Sequence, residues 1–123
     1  MAAATAILGQ AAQVPNLGGA ATYANKICII NDAAFRMYFN LQDLRTGQYS
    51  SDTSSYDIDK YKCMMIADAF PGNLNEGDYI FAYVHAQAGS TKSVDTPVLY
   101  SSTATTATYN CRGATLTYSC DLL

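Results

Sequence analysis

The chain has 123 residues, the length of a single domain, and only 14% of them are charged, with a formal net charge of −3. Its seven Lys and Arg residues are never adjacent to one another, so the sequence predicts neither a nucleic-acid partner nor strong binding to anionic membranes. No apolar run approaches the roughly 18 residues that cross a bilayer, so we expect no transmembrane segment.

Residues 1–25 form an Ala- and Gly-rich arm without a single charged side chain. This composition is compatible with a helix and with an extended segment. The arm begins without the positive charge of a secretory signal, so no signal peptide is evident. We expect the arm to dock on a neighbouring subunit by adding residues 4–14 as a strand to an open sheet edge, with Ile7, Leu8 and Val14 as the contact residues.

Strand patterns begin at residue 26. The β-branched run KICII predicts a short strand, and AAFRMYFNLQDL alternates apolar and polar residues over a longer one. The apolar face of the longer strand consists of Phe35, Met37, Phe39 and Leu41. A turn at RTGQ follows, and SSDTSS is then either a polar loop or a twisted edge. YDIDKYKCMMIA predicts one or two strands around residues 58 and 63–66.

The stretch DYIFAYVHAQ carries the clearest strand pattern in the chain. One of its faces is apolar and consists of Ile80, Ala82, Val84 and Ala86. The other face is aromatic and consists of Tyr79, Phe81, Tyr83 and His85. We expect a central strand whose aromatic face is covered by a second sheet, by the arm or by another molecule. His85 is the only histidine, and we interpret it as part of this contact surface and not as a catalytic base.

The chain ends in further strand patterns. TPVLYSS predicts a strand with Pro97 at its entry, and TTATYNCRGATLTYSC predicts a hairpin that turns at RG. One face of this hairpin is polar and consists of Thr106, Thr108, Asn110, Thr115, Thr117 and Ser119. Thr is favoured at exposed strand positions, so we expect this polar face to meet water. The alternatives are a subunit contact, a sugar-bearing face, and a flat face that matches the ice lattice as in ice-binding proteins.

The four cysteines, none in a C-x-x-C spacing, are Cys28, Cys63, Cys111 and Cys120. We therefore expect no zinc site, and an even count in a small, charge-poor chain indicates two disulfides and an oxidising compartment. A tight turn in the final hairpin would separate Cys111 and Cys120 by ~20 Å along the sheet, whereas bonded cysteines need Cα atoms within about 7 Å of each other. The sequence thus predicts that Cys111 and Cys120 do not pair with each other and that each pairs with Cys28 or Cys63.

No set of catalytic residues is recognisable in the sequence. G-x-S-x-G is missing, and no nucleophile can be tied to the single histidine. The carboxylate pairs Asp57 with Asp59 and Glu76 with Asp78 would each share a strand face, but such carboxylates are usually only solvated. Adding Asp52 to the first pair does not reproduce the spacing of a calcium loop. We therefore expect no enzymatic activity, no cofactor and no metal site.

About seven or eight short strands, separated by turn signals, predict an all-β domain over residues 26–123, either an antiparallel β-sandwich or a small barrel. Low charge, abundant Ser, Thr and Tyr, and the uncharged arm indicate a self-associating structural protein, a homo-oligomer outside the cell or on its surface. The alternative is a lectin-like module for glycans, or a β-sandwich that binds lipid headgroups as pore-forming proteins do.

Overall fold

A computed structural model describes residues 22–87, 89–94 and 96–123. These residues form two sheets and one short helix. In chain order the elements are β1 (Tyr23–Ala24), β2 (Lys26–Ala33), β3 (Met37–Asp43), β4 (Lys60–Met65), α1 (Ile66–Ala69), β5 (Tyr79–Ala86), β6 (Thr91–Ser93), β7 (Val98–Tyr100), β8 (Thr106–Gly113) and β9 (Ser119–Leu122). Residues 1–21, which make up most of the predicted arm and include Ile7, Leu8 and Val14, lie outside the described residues.

The first sheet has the strand order β1-β7-β5-β3, and β6 also pairs with β5. β3 pairs along one edge of β5, from Ile80 to Ala86, so β7 and β6 must occupy successive parts of the other edge. The prediction that this strand is central is therefore confirmed. β1 pairs in parallel with β7, so Tyr23–Ala24, at the end of the predicted arm, already belongs to the sheet.

The second sheet has the strand order β4-β2-β8-β9. Its two central strands, β2 and β8, run parallel to each other, from the pair Lys26 and Thr106 to the pair Ala33 and Gly113. The prediction of purely antiparallel pairing was therefore wrong. Between β2 and β8 the chain forms β4 of this sheet and most of the first sheet. β8 then enters the second sheet in the same direction as β2. Across the described ranges, neither sheet closes into a barrel.

One buried cluster contains side chains from both sheets. Ile27 and Ile29 of the second sheet and Phe39 of the first sheet are all fully buried. Tyr118 lies in the loop between β8 and β9 of the second sheet. Its hydroxyl donates a hydrogen bond of 3.0 Å to the carbonyl oxygen of Val84 in β5, which connects the two sheets. Burial of each large apolar side chain contributes about 1.5–3 kcal/mol. The alternation in β3 and β5 thus predicted the core correctly.

The elements that the sequence did not predict are the short ones. β1 and β6 contain two and three residues, too few for a period of two to be recognised. α1 occupies the end of a predicted strand, because Ile66 turns into the core while the Ile66 N–H donates to Asn25 O at 3.0 Å. No helix in the described part of the chain is long and apolar enough to cross a bilayer.

Both disulfides join neighbouring strands of the second sheet. Cys28 of β2 lies opposite Cys63 of β4, and Cys111 of β8 lies opposite Cys120 of β9, with Cα atoms 4.0 Å apart in each pair. The prediction that Cys111 and Cys120 do not pair was therefore wrong, and neither bridge connects the two sheets. In the loop-closure model the bridges contribute about 4 and about 3 kcal/mol respectively, because the first closes the longer loop.

The error in the disulfide prediction arose from the turn of the final hairpin. β8 continues through Gly113, and the chain crosses to β9 through residues 114–118. Gly113 has a φ of 122°, and a Cβ atom there would lie 2.7 Å from Thr117 O, so this crossing requires glycine. The longer loop shifts the register and brings Cys111 directly opposite Cys120.

Candidate functional site

The aromatic face predicted on β5 lies on the outer side of the first sheet. Tyr79, Phe81, Tyr83 and His85 are each partly exposed, whereas the residues that alternate with them are buried. The second sheet shares a core with the buried side of β5. The second sheet was one of three covers considered from the sequence, and it does not lie over the aromatic face.

β3 extends this face with residues that pair directly with those of β5. Tyr38 lies opposite His85, and their rings stack with centroids 4.6 Å apart and planes 10° apart. Gln42 accepts a hydrogen bond of 2.9 Å from the Tyr83 hydroxyl. The outer aromatic face therefore consists of Tyr38, Asn40 and Gln42 of β3 together with Tyr79, Phe81, Tyr83 and His85 of β5.

Both ring nitrogens of His85 have hydrogen-bond partners within this face. Nε2 lies 2.8 Å from Asn40 Oδ1, and Nδ1 lies 2.8 Å from Thr91 Oγ1 on β6. Burial lowers the pKa of His85, although the charge of Asp52 acts in the opposite direction. The neutral ring therefore donates from Nε2 and accepts at Nδ1, which fixes its orientation in the stack with Tyr38. His85 therefore lies on the partly exposed face of β5, and its role in a contact surface stays a prediction.

Residues 48–56, which we call the edge cover, pair with the outer edge of β3. The N–H groups of Ser50, Thr53 and Tyr56 donate to backbone carbonyls of β3 at 2.8 Å. The hydroxyls of Ser50 and Thr53 accept from backbone N–H groups of β3, at 2.8 and 3.1 Å. Of the two alternatives for this polar stretch, a loop or a twisted edge, the structure shows a segment that pairs with a sheet edge. It also brings the Tyr49 ring to 5.6 Å from the Tyr83 ring, which enlarges the outer aromatic face.

The polar face predicted on the final hairpin is only partly assembled. The alternating residues Thr106, Thr108 and Asn110 share the outward side of β8, and Ser119 lies beside them on β9, opposite Arg112. Thr115 and Thr117 instead lie in the loop between the strands. The four strand residues therefore form a smaller polar patch than the sequence indicated.

β4 lies at the end of the second sheet, and within the residues described it pairs only with β2. Antiparallel pairing uses alternate residues of a strand, so the intervening N–H and C=O groups of β4 point away from β2. Three large hydrophobic side chains are exposed on or just before this strand. They are Ile58 at 48%, Tyr61 at 66% and Met65 at 39% exposure. β4 is thus an open edge flanked by apolar side chains.

A buried pair of carboxyl groups lies where β3 ends. Asp43 is fully buried, and Asp78 has only 5% of its side chain exposed. Burial raises the pKa of Asp43 to about 7, and its hydrogen bond and repulsion with Asp78 add to the shift. Arg45 holds the pair together, because its Nε donates to Asp78 Oδ1 at 2.8 Å and its backbone N–H donates to Asp43 Oδ1 at 2.9 Å.

The carboxyl pair belongs to a hydrogen-bond network that connects parts of the fold. Asp43 Oδ2 is buried without a hydrogen-bond partner within the described residues, and this burial favours the protonated form of the carboxyl group. Arg45 also donates to Asn73 O at 2.9 Å, so the network ties the turn after β3 to the loop before β5. No group of three or more His, Cys, Asp or Glu side chains in the described ranges is arranged to bind a metal ion.

Three features of the surface were not recognisable from the sequence. β3 and β5 are separated by β4 and α1 along the chain, so the pairing of Tyr38 with His85 has no local signal. The edge cover and the open edge of β4 depend equally on strand order. No protein-family model matches this chain, and no curated protein is significantly similar to it.

Proposed function

We propose that this chain is an extracellular structural protein that associates with copies of itself by strand addition. Residues 4–14 of one copy pair with the open edge of β4 in the next copy. In this proposal the two sheets of each copy face each other as a β-sandwich, and the arm extends from β1 towards the neighbouring subunit. The two disulfides and the low proportion of charged residues support a location outside the cell.

The open edge of β4 is the observation that carries the proposal. Exposed strand edges with apolar side chains are templates for pairing with another chain, and proteins usually cover them. This chain covers the edge of β3 with its own residues 48–56. It places three of the seven large hydrophobic side chains exposed in the described residues at β4 instead. A second chain at this edge would bury them and satisfy the open backbone groups.

The arm suits this edge as a donor because it carries no charge. Lys60 and Lys62 of β4 would repel a basic strand, and an inward-pointing lysine such as Lys62 discourages random pairing. An uncharged segment with apolar anchors avoids that repulsion. In the extended form that strand addition requires, sequence parity would put Leu8 and Val14 on one strand face and Ile7 on the other, so alternate anchors would define the register.

The first experiment measures the particle mass and shape of the oxidised full chain by light scattering and negative-stain microscopy. We expect assemblies of the 13.2 kDa full chain, and only monomers once residues 1–19 are removed. Tyr61→Glu should weaken association, because it places a charge beside the added strand. Leu116→Glu is the matched control, since Leu116 is 77% exposed on the hairpin loop away from β4. A full chain that stays monomeric at all concentrations would refute the proposal.

A second candidate function is glycan binding by the outer aromatic face. Aromatic rings flanked by amide and hydroxyl groups can stack on a sugar ring and bond its hydroxyls. Tyr49 and Tyr83 lie at the edge of this face, next to the amide of Gln42. The polar patch on β8 lacks such rings and fits water better.

Glycan binding is tested on a glycan array with the monomeric fraction. Tyr49→Ala should abolish a positive signal, whereas Tyr23→Ala should preserve it, because both tyrosines are 54% exposed and only Tyr49 borders the aromatic face. Binding to liposomes and not to glycans would indicate a lipid headgroup as the ligand. Equal signals from the two variants would show that the aromatic face is not the glycan site.

A further inference from the structure

The two disulfides lie on opposite faces of the same sheet. Cys28 stands between Ile27 and Ile29, which are fully buried in the core, so its side chain points to the outer face. Its partner Cys63 is exposed. Cys111 and Cys120 are instead 0% and 6% exposed and belong to the buried cluster. The chain therefore presents one disulfide to solvent and holds the other in its core.

The position of Cys63 on the open edge also determines which sulfur can be attacked. A thiolate attacks a disulfide in line with the bond, from the side opposite the departing sulfur. The Cys28–Cys63 bond runs across the strands from β2 to β4. Approach to Cys28 would have to come from β8, where Thr108 is its register partner. Approach to Cys63 comes from beyond β4, where no described strand lies.

The charges around the bond favour the same direction of attack. Lys26 lies on the same face of β2 as Cys28, two residues along the strand. A nearby cation stabilises a thiolate and makes it a better leaving group. It also attracts an anionic thiol. Asp32, the acidic residue on that side of β2, lies four residues from Cys28, roughly 13 Å at ~3.3 Å per residue.

We propose that Cys63 is a thiol-exchange site for anionic low-molecular-weight thiols. The thiolate of such a molecule forms a bond to Cys63 Sγ, the Cys28–Cys63 bond breaks, and its electron pair leaves with Cys28 Sγ, which then takes a proton from water. The product is a mixed disulfide on Cys63 and a free thiol on Cys28. The number of electrons is conserved, so no further oxidant or reductant is required.

The exchange changes what holds β4 in the sheet. After it, no covalent bond joins β4 to β2, and β4 is held by backbone hydrogen bonds and by the packing of Met64 on the core. The buried Cys111–Cys120 bridge still joins β8 to β9. The Cys28 thiol, only 7% exposed, remains beside the mixed disulfide and can displace the small thiol again. The modification is therefore reversible, and it acts on the strand that the proposed assembly uses.

The test exposes the native full chain to reduced glutathione, followed by acid quenching, alkylation and tryptic mass mapping. Each cysteine lies in a separate tryptic peptide, so adducts can be assigned. We expect glutathione on Cys63 and the alkylating reagent on Cys28, with the outer bridge opening at least about tenfold faster than Cys111–Cys120. In denaturant the two bridges should open at similar rates.

Three outcomes would overturn the inference: both bridges opening together under native conditions, the buried bridge opening first, or the adduct on Cys28. The measurement is made on the fraction that elutes as a monomer, because an added strand along β4 would shield Cys63. Rapid exchange in this fraction supports the inference even if no assembly forms. Thiol exchange that is slow only in a larger, associated fraction would bear on the proposed self-association and not on this inference.

Discussion

β3 and β4 are both end strands of their sheets, but the chain treats their edges differently. The edge of β3 is paired with residues 48–56 through backbone groups and through the hydroxyls of Ser50 and Thr53. The edge of β4 has no such cover within the described ranges and carries exposed Tyr61 and Met65. Within the described ranges the chain covers the edge of β3 with its own residues but does not cover the edge of β4. This contrast favours β4 as the site at which a second chain adds.

The largest effect is expected from removing the anchor of the edge cover. Tyr56 is 5% exposed, and its hydroxyl donates to Ile29 O at 2.9 Å. Tyr56→Ala should lower the free energy of unfolding by about 4 kcal/mol, because it leaves a cavity and an unpaired carbonyl. Urea denaturation measures this change.

The control for the anchor lies on the open edge. Tyr61→Ala should change the free energy of unfolding by less than about 0.5 kcal/mol, since Tyr61 is largely exposed. Equal losses in the two variants would show that residues 48–56 do not stabilise β3 as described. A variant lacking the Tyr56 anchor should also aggregate more readily, because it exposes a second edge.

The next effect concerns pH. Asp43 ends β3, just before the turn that leads into the edge cover, and its carbonyl accepts the backbone N–H of Gly47 at 2.8 Å. The pKa of Asp43 is raised in the folded state to about 7 from its usual 3.8. Its stabilising contribution is therefore complete below pH 3.8 and is lost as the pH rises through 7. Stability should fall over this window by an amount on the order of a few kcal/mol.

Asp43→Asn tests the pH prediction, since a neutral amide can still donate to Asp78. This variant should show a flatter stability profile between about pH 4 and pH 7. Asp57→Asn is the control, because Asp57 is an exposed partner of Arg36. Arg45 and Asp78 face Asp43 directly and are left unchanged. A profile for Asp43→Asn as steep as that of the unmodified chain would contradict the raised pKa of Asp43.

The smallest effect is expected from a single hydroxyl of the edge cover. Thr53→Val removes the oxygen that accepts the Phe39 N–H while preserving the shape of the side chain. The free energy of unfolding should fall by about 1 kcal/mol. Ser54→Ala alters the exposed neighbouring residue and should have almost no effect. If both variants are neutral, water replaces the hydroxyl at this edge.

Local sequence patterns predicted the strands well, but not their partners. The alternation around Phe39 and Val84 identified two core faces, because a residue's position in a pleated strand follows directly from parity. The same rule placed Tyr83 and His85 together on the opposite face of β5, but it did not predict that this face is the outer one. The strand order that brings β3 beside β5 depends on the free energy of the whole fold, so no short stretch of the sequence predicts it.

The disulfide error shows how sensitive register is to loop length. The sequence correctly indicated two bridges, yet assuming a tight turn separated Cys111 from Cys120. A crossing a few residues longer, made possible by the positive φ of Gly113, places them opposite each other. The parallel pairing of β2 with β8 was missed for a related reason, because it depends on the path of about seventy intervening residues and not on either strand.

The most direct test of the open edge is amide hydrogen exchange of Lys60–Met65 at low and high protein concentration, with Met37–Asp43 as the internal reference. We predict that alternate amides of β4 exchange rapidly in dilute solution and become protected as the chains associate. The amides of β3 should be protected under both conditions, because residues 48–56 cover them. β4 amides that stay unprotected in the associated state, or that are already fully protected in the monomer, would contradict strand addition at this edge.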